Sequence, residues 1–338
     1  MPLHIVVPGL LWPRDTIENA ARGLALPALA VLAGRGRHAW TPPQPVEHWL
    51  CRAFGLAAEP PPCAALRWLG EGGEAGADAW LCADPAHLRF SRNALVIGGV
   101  DELDLAPDEA AEFVAALNAG LGEAGIFHAP HPHRWYLRLR APVRIATHPR
   151  ASVVGRALEA FLPGGEDARA WRHLANEAQV LLHNHPLNAA REARGAAAVN
   201  SLWFWGAGTL AAATRVPAAQ LIADDPLARG LARHAGMARG PLPATARQAD
   251  LGTNALLLLD RLAAPAQALD APAWRAALAA AEADWFMPLL AALRASRLDG
   301  LRLTAFGDDG TFDILLRPRD LWKVWRRPLP LPAWRLAA

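Results

Sequence analysis

Residues 255–259, Ala-Leu-Leu-Leu-Leu, form an unbroken apolar run that ends at Asp260. A short run without alternation suits a strand covered on both faces, which is the environment of a parallel sheet. Ile5-Val6-Val7, stopped by Pro8-Gly9, has the same character. Ser201 to Trp205, followed by Gly206-Ala207-Gly208, and the segments Leu301–Ala305 and Thr311–Leu316 supply further strands. Helical apolar spacing runs from about Thr16 to Leu32, from Glu47 to Phe54 and from Ala271 to Ala295. Strands alternating with helices predict an α/β fold, its mostly parallel sheet flanked by helices.

The middle of the chain has a different texture. Trp80-Leu81-Cys82, His87–Phe90, Ala94–Ile97, Ile126–His128 and Trp135–Leu139 are short β-like runs, with a helix predicted from Pro107 to Leu121 and another from Asp167 to His183. This block predicts an inserted α+β domain over residues 86–195, with the α/β core formed by residues 1–85 and 196–338. Glu59 to Gly76, with a Pro triplet and several glycines, is expected to be a surface excursion.

Of the 338 residues, 53% are hydrophobic and 20% charged, which excludes global disorder. The 34 basic and 32 acidic side chains leave a net charge of +2, which argues against a nucleic-acid binder. Three cysteines without a CxxC pair predict a reducing compartment. The first eleven residues lack a basic n-region, and no run approaches the ~18 uncharged apolar residues of a membrane span. The expectation is a cytoplasmic protein with no membrane partner.

The most distinctive stretch is His185-Pro186-Leu187-Asn188-Ala189-Ala190-Arg191, then Asn200-Ser201-Leu202-Trp203-Phe204-Trp205-Gly206-Ala207-Gly208. It resembles the HPxN-x-x-R…N-x-[IL]-W-x-W-G-x-G signature of cofactor-independent phosphoglycerate mutases of the archaeal type, in the alkaline phosphatase superfamily. It is closer still to a proteobacterial group labelled either RpfE-type regulatory proteins or phosphoglycerate mutases. Ala83–Phe90, Leu162-Pro163-Gly164-Gly165, Leu227–Ala232 with Gly236-Met237, and Pro243-Ala244-Thr245 with Asp250 extend the resemblance along the chain. It implies an alkaline phosphatase-like core interrupted by an inserted domain, and phosphoryl transfer at two divalent metals with a Ser or Thr nucleophile.

The residues this chemistry needs are not where the resemblance implies them. The first strand should lead into a DGxxD-like loop, and here Pro8–Trp12 carries no carboxylate before Asp15. The SDxAH-like nucleophile segment corresponds to Pro45–Trp49, with Thr41 the nearest hydroxyl. Asp260 could open a D-x-x-x-H motif, but 261–268 contains no histidine. Leu301–Ala305 should end in Asp-His and ends in Phe306-Gly307-Asp308-Asp309. All 12 histidines lie at or before His234. The expectation is therefore a degenerate mutase homologue with no catalytic residues and no resident metal, working as a regulatory or binding protein. The alternative is an active mutase or phosphatase with a rebuilt Mn or Mg site using Asp260, Asp308 and Asp309.

Other features carry a sharp and a plain reading. His128, His131, His133 and His148 suggest a zinc or nickel site, or a proline-kinked loop of imidazoles without a Cys partner. Arg134, Arg138, Arg140, Arg191 and Arg194 offer forks for an anion. The candidate ligand set is Arg134, Arg138, His185, Asn188, Arg191 and Asn200, for a small phosphorylated or carboxylate molecule. Against it, Arg138 and Arg140 fit the solvent face of a strand, while His185, Asn188 and Asn200 fit structural hydrogen bonds. Gly206 and Gly208 are expected in a tight turn, with Trp203 and Trp205 filling a seam between domains. Leu321–Arg327 and Pro328–Trp334 mix Trp, Arg and Pro. They form either a partner-binding or single-strand nucleic-acid tail, or a last helix and an extended arm packed on the core.

Overall fold

The computed structural model describes residues 2–56, 58–91, 94–100, 102–212, 215–249 and 254–334. The chain forms two compact units, Met1–Val46 with Val216–Ala338, and Glu47–Arg215.

The chain enters the first unit with β1 (Leu3–Pro8), α1 (Ile17–Ala20), α2 (Pro27–Arg35) and β2 (Arg37–Thr41). The single helix expected over Thr16–Leu32 is two helices, because Gly23 takes a left-handed φ of 73° and Pro27 restarts the helix at its first position. The second unit follows: α3 (Val46–Ala53), α4 (Cys63–Gly70), β3 (Trp80–Ala86), β4 (Leu88–Ser91), β5 (Ala94–Ile97), α5 (Pro107–Leu121), β6 (Gly125–His131), β7 (Arg134–Leu139), α6 (Ala168–His183), α7 (Pro186–Ala193) and β8 (Ser201–Gly208). The chain returns to the first unit with β9 (Gln220–Ile222), α8 (Pro226–His234), β10 (Ala238–Gly240) and β11 (Ala255–Leu258). It ends with α9 (Ala263–Gln267), α10 (Ala271–Ala281), α11 (Met287–Arg294), β12 (Leu301–Gly307) and β13 (Gly310–Leu316).

The first unit is built on a seven-stranded sheet of order β10-β9-β11-β1-β12-β13-β2. The four pairings from β10 to β12 are parallel, and the β12–β13 hairpin and β2 add antiparallel strands. β11 is buried along its whole length between β9 and β1, as its apolar run requires. One face of this sheet packs Leu3, Ile5, Leu257, Leu303 and Ile314 against Leu29, Trp274, Trp285 and Leu293 of the helices. A π-helical turn, Glu282–Phe286, joins α10 to α11. By length and composition this Ala271–Arg294 helix is long and apolar enough to cross a membrane, although charged residues interrupt it. Its Trp274, Leu278, Trp285 and Phe286 instead lie in the sheet core.

The second unit holds a four-stranded antiparallel sheet, β6-β7-β3-β8, and a separate β4–β5 hairpin. Phe113, Trp135, Trp171, Leu182 and Phe204 form its own core with α5 and α6. The expected boundaries therefore move. β3 pairs with both β7 and β8, so residues assigned from sequence to the α/β core belong to the inserted unit's sheet. The predicted surface excursion at Glu59–Gly76 contains α4, six of whose residues are buried. Gly206 and Gly208 lie within β8 rather than in a turn. A Cβ on Gly206, at φ 68°, would stand 2.9 Å from Cys63 Cβ, so glycine lets α4 approach the strand.

Candidate functional site

In an open α/β sheet the ligand-binding crevice forms at the carboxyl ends of the strands, where chain connections diverge to opposite sides. In the first unit that divergence falls between β9, whose chain continues outward to β10, and β11, whose chain continues inward to β12. Two carboxylates follow β9, Asp224 and Asp225, and Asp260 follows β11. Asp225 caps α8 by accepting from Ala228 N at 2.8 Å, and Asp224 accepts from Leu242 N at 3.1 Å. Burial, then the charges of Asp225 and Asp224, push the Asp260 carboxyl up to about 6. This end of the edge therefore holds one carboxyl poised near neutrality and two that serve the backbone.

The middle of the edge is filled by packing. Gly9, at φ 76°, lies so close to the Leu262 carbonyl that a Cβ there would overlap it. Trp274 Nε1 donates to Gly9 O at 2.8 Å, and the Trp274 and Trp12 rings stand 4.9 Å apart. Leu11 N donates to Phe306 O at 3.3 Å, tying the β1 loop to the end of β12. At the far end, Asp308 and Asp309 form the β12–β13 turn, and Asp309 Oδ2 accepts from Arg14 N at 2.9 Å. Thr41, at the end of β2, is exposed opposite Thr311. A shallow cleft opens at this end, with Trp12, Trp40 and Trp334 as walls and Arg14 and Asp309 among its lining. Indole walls with one cation and one carboxylate can hold a small molecule that has an apolar body and an ionic end.

No family model matches the chain. It is 28% identical over 108 residues to the 2,3-bisphosphoglycerate-independent phosphoglycerate mutase of Methanosarcina barkeri, covering 31% of this chain and 27% of that protein. The matched stretch thus spans about a quarter of that relative's length. The cofactor-independent phosphoglycerate mutase of Thermoplasma acidophilum superposes with a TM-score of 0.50 at 17% identity, over 98% of this chain and 94% of that one. A Pyrococcus horikoshii protein superposes with a TM-score of 0.52 at 17% identity, over 98% and 91%. The fold is that of the cofactor-independent phosphoglycerate mutases.

The resemblance read from the sequence implies two divalent metals, and among the described residues the donor set does not fit them. Among the described residues no three His, Cys, Asp or Glu side chains group to hold an ion. Asp260 and the Asp308–Asp309 turn are two to three strands apart, roughly 10–14 Å at ~4.8 Å per strand. A two-metal site also needs donors between these ends, and Gly9, Leu10, Leu11 and Trp12 supply none. Thr41 lies four strands from Asp260, about 19 Å on the same spacing. His4 is at the amino end of β1, and its Nε2 bonds Thr304 Oγ1 at 2.7 Å. Thr304 donates in turn to Asp313 at 2.5 Å, so its hydroxyl proton is committed and the imidazole must be the donor to Thr304. Burial, then Arg302, holds His4 down at about 3, which keeps this buried chain neutral at the histidine. Asp250 lies outside the described residues.

The six predicted ligand residues do not form an anion pocket. Arg134 is matched to Glu71, with Nε to Oε1 at 2.5 Å and Nη2 to Oε2 at 3.2 Å, and Arg138 pairs at the surface with Asp78 at 3.6 Å. His185 caps α7, its Nδ1 accepting from Leu187 N at 3.2 Å. Asn188 is buried, donating to Leu182 O and Val199 O and accepting from Val199 N. Arg191 is fully buried; it donates to Glu109 at 2.5 Å, to Ala197 O and to Leu103 O. Asn200 bonds both backbone groups of Leu88, at 2.7 and 2.9 Å. Each group answers a backbone atom or carboxylate, so the HPxN-x-x-R signature reads as a structural clamp.

The histidine cluster is likewise dispersed. The His128 ring is tilted at 5.2 Å from Trp68, His148 stands edge-on to Phe161, and the His131 and His133 rings stand 5.8 Å apart. Sequence reasoning missed the buried Arg67–Asp84 pair, held by contacts of 2.5 and 2.9 Å. Trp205 Nε1 and Trp135 N also donate to Asp84, at 2.8 and 3.2 Å. Trp203 donates to His148 O, so both tryptophans serve the inserted unit itself rather than a seam. An Asp in an otherwise apolar strand was the one available signal.

Proposed function

We propose that this chain is a phosphoglycerate mutase-like protein that has lost two-metal phosphoryl transfer and acts as a cytoplasmic, RpfE-type regulatory or ligand-binding protein. The observation that carries this reading is the carboxyl edge of the first unit's sheet. There Gly9, Trp12, Trp274 and Leu11 occupy the middle, and the remaining carboxylates are split between its two ends. A small carboxylate or phosphate ligand would seat in the Trp12/Trp40/Trp334 cleft with Arg14 facing its anionic end. The test is elemental analysis after dialysis against Mn²⁺, Zn²⁺ or Mg²⁺, with a phosphoglycerate mutase assay on the same samples. Less than stoichiometric metal and no turnover are expected; close to two ions per chain with turnover would overturn the reading.

A second reading, phosphate-ester chemistry at a rebuilt site, has one observation in its favour. A carboxyl near 6 is suited to proton transfer near neutral pH. It requires metal-stimulated hydrolysis of p-nitrophenyl phosphate that Asp260→Asn abolishes.

A further inference from the structure

Trp135, Trp274 and Trp285 are at most 1% exposed, and Trp12, Trp80, Trp203, Trp205 and Trp334 no more than 7%. Trp322, Val324 and Trp325 are 80%, 72% and 75% exposed. Scattered exposed apolar side chains are ordinary, but three within four residues make a patch that marks an interaction surface.

The patch sits on a braced turn. Leu321 before it and Leu331 after it are buried. Asp320 accepts from Arg317 N at 2.9 Å and from Lys323 Nζ at 2.5 Å. Arg35 donates to Leu321 O at 2.6 Å, and Arg326 donates to Gly36 O at 3.1 Å. The indoles are thus held outward by a base tied to the end of α2. In the same segment Arg317, Arg319, Arg326 and Arg327 are exposed, and so is Arg37, next in sequence to Gly36. The acid of this segment, Asp320, is buried and already paired.

We propose that this Trp322–Arg327 turn docks the protein on an anionic lipid surface. The indoles and Val324 would lie at the level of the headgroups, where amphipathic rings are favoured, and the guanidinium groups would meet lipid phosphates. Charge complementarity points to an anionic partner. The aliphatic Val324 between the indoles adds nothing to base stacking but adds to apolar insertion. A stable protein interface buries about 800 Å² per side, more than three side chains on a turn present. The expectation of no membrane partner rested on spanning segments, and peripheral docking needs none. This inference is independent of whether the mutase chemistry is lost.

The test is co-sedimentation of the full chain with phosphatidylcholine vesicles, with and without phosphatidylglycerol, at low and high salt. Binding is expected only with phosphatidylglycerol, and weaker at high salt. Trp322→Ala with Trp325→Ala, and separately Arg319→Gln with Arg327→Gln, should each weaken it about ten-fold. These side chains are exposed, and unchanged circular dichroism and melting would confirm that both variants fold. Absence of binding to anionic vesicles at low salt overturns the proposal, as does undiminished binding by the tryptophan variant. Binding of oligo(dT) that needs the two tryptophans, with no vesicle binding, would also overturn it, in favour of a single-strand nucleic-acid platform.

Discussion

Arg67 and Arg191 hold the internal polar order of the inserted unit, each buried against one carboxylate, Asp84 and Glu109 respectively. Removing one partner of such a pair strands the other charge in a place that water does not reach. Arg191→Ala is therefore expected to destabilise the protein by about 3–5 kcal/mol in urea unfolding. It should leave the affinity of the Trp12/Trp40/Trp334 cleft for 3-phosphoglycerate unchanged in calorimetry, since Arg191 lies in the inserted unit. Asp260 gives a pH prediction. Its folded carboxyl is raised from 3.8 to about 6, so the folded state holds the proton more tightly than the unfolded chain. Its contribution is present in full below pH ~4 and is lost as pH rises through about 6. Asp260→Asn should flatten the dependence of urea stability on pH in that window relative to the parent, and an unchanged difference between the two would contradict the shift. The arginines and Asn188 were legible in the sequence as a group, but not their role. Residue type and spacing say which forks are available; whether a fork meets a ligand or a carboxylate such as Glu109, 82 positions away, is settled by packing.

At the scale of elements, α2 depends on partners distant in the chain. Its amino end has no capping side chain of its own, and Glu282 from the π-helical turn accepts from Ala28 N at 2.5 Å and Leu29 N at 3.1 Å. Glu282→Ala should cost about 1–2 kcal/mol in thermal or urea unfolding, the range of a lost N-cap. At the other end, Gly34 lies against the backbone of the C-terminal arm, where a Cβ would overlap Arg327 O and stand 2.8 Å from Leu329 N. Alanine is the better helix former by about 1 kcal/mol. Gly34→Ala should nevertheless release the arm, seen as faster tryptic cleavage after Arg326. Unchanged cleavage would mean that the arm accommodates the methyl. The strands β1, β11, β12 and β13 were legible because their apolar runs are short and bounded by turn residues. α4 was not, because its Pro- and Gly-rich flanks read as loop while tertiary burial stabilises the helix between them.

At the scale of the molecule, each unit has a core of its own. The inserted unit is one continuous segment, and Arg215 N donates to Phe54 O at 3.2 Å, which brings its end back to its beginning. Residues 47–215 expressed alone should fold and unfold cooperatively in urea with a helix and strand signature in circular dichroism. A fragment that remains molten would show that it needs the rest of the chain. The sequence by itself determined the α/β class, the parallel strands, the mutase resemblance and the missing histidines. Those properties follow from residue type and local order, which hydrophobic periodicity and motif spacing express directly. The domain boundaries, the burial of Arg191 and Arg67, the filled edge around Gly9 and the outward-facing tryptophans were decided only by tertiary structure. They depend on which distant side chains are brought into contact, and no local pattern encodes that.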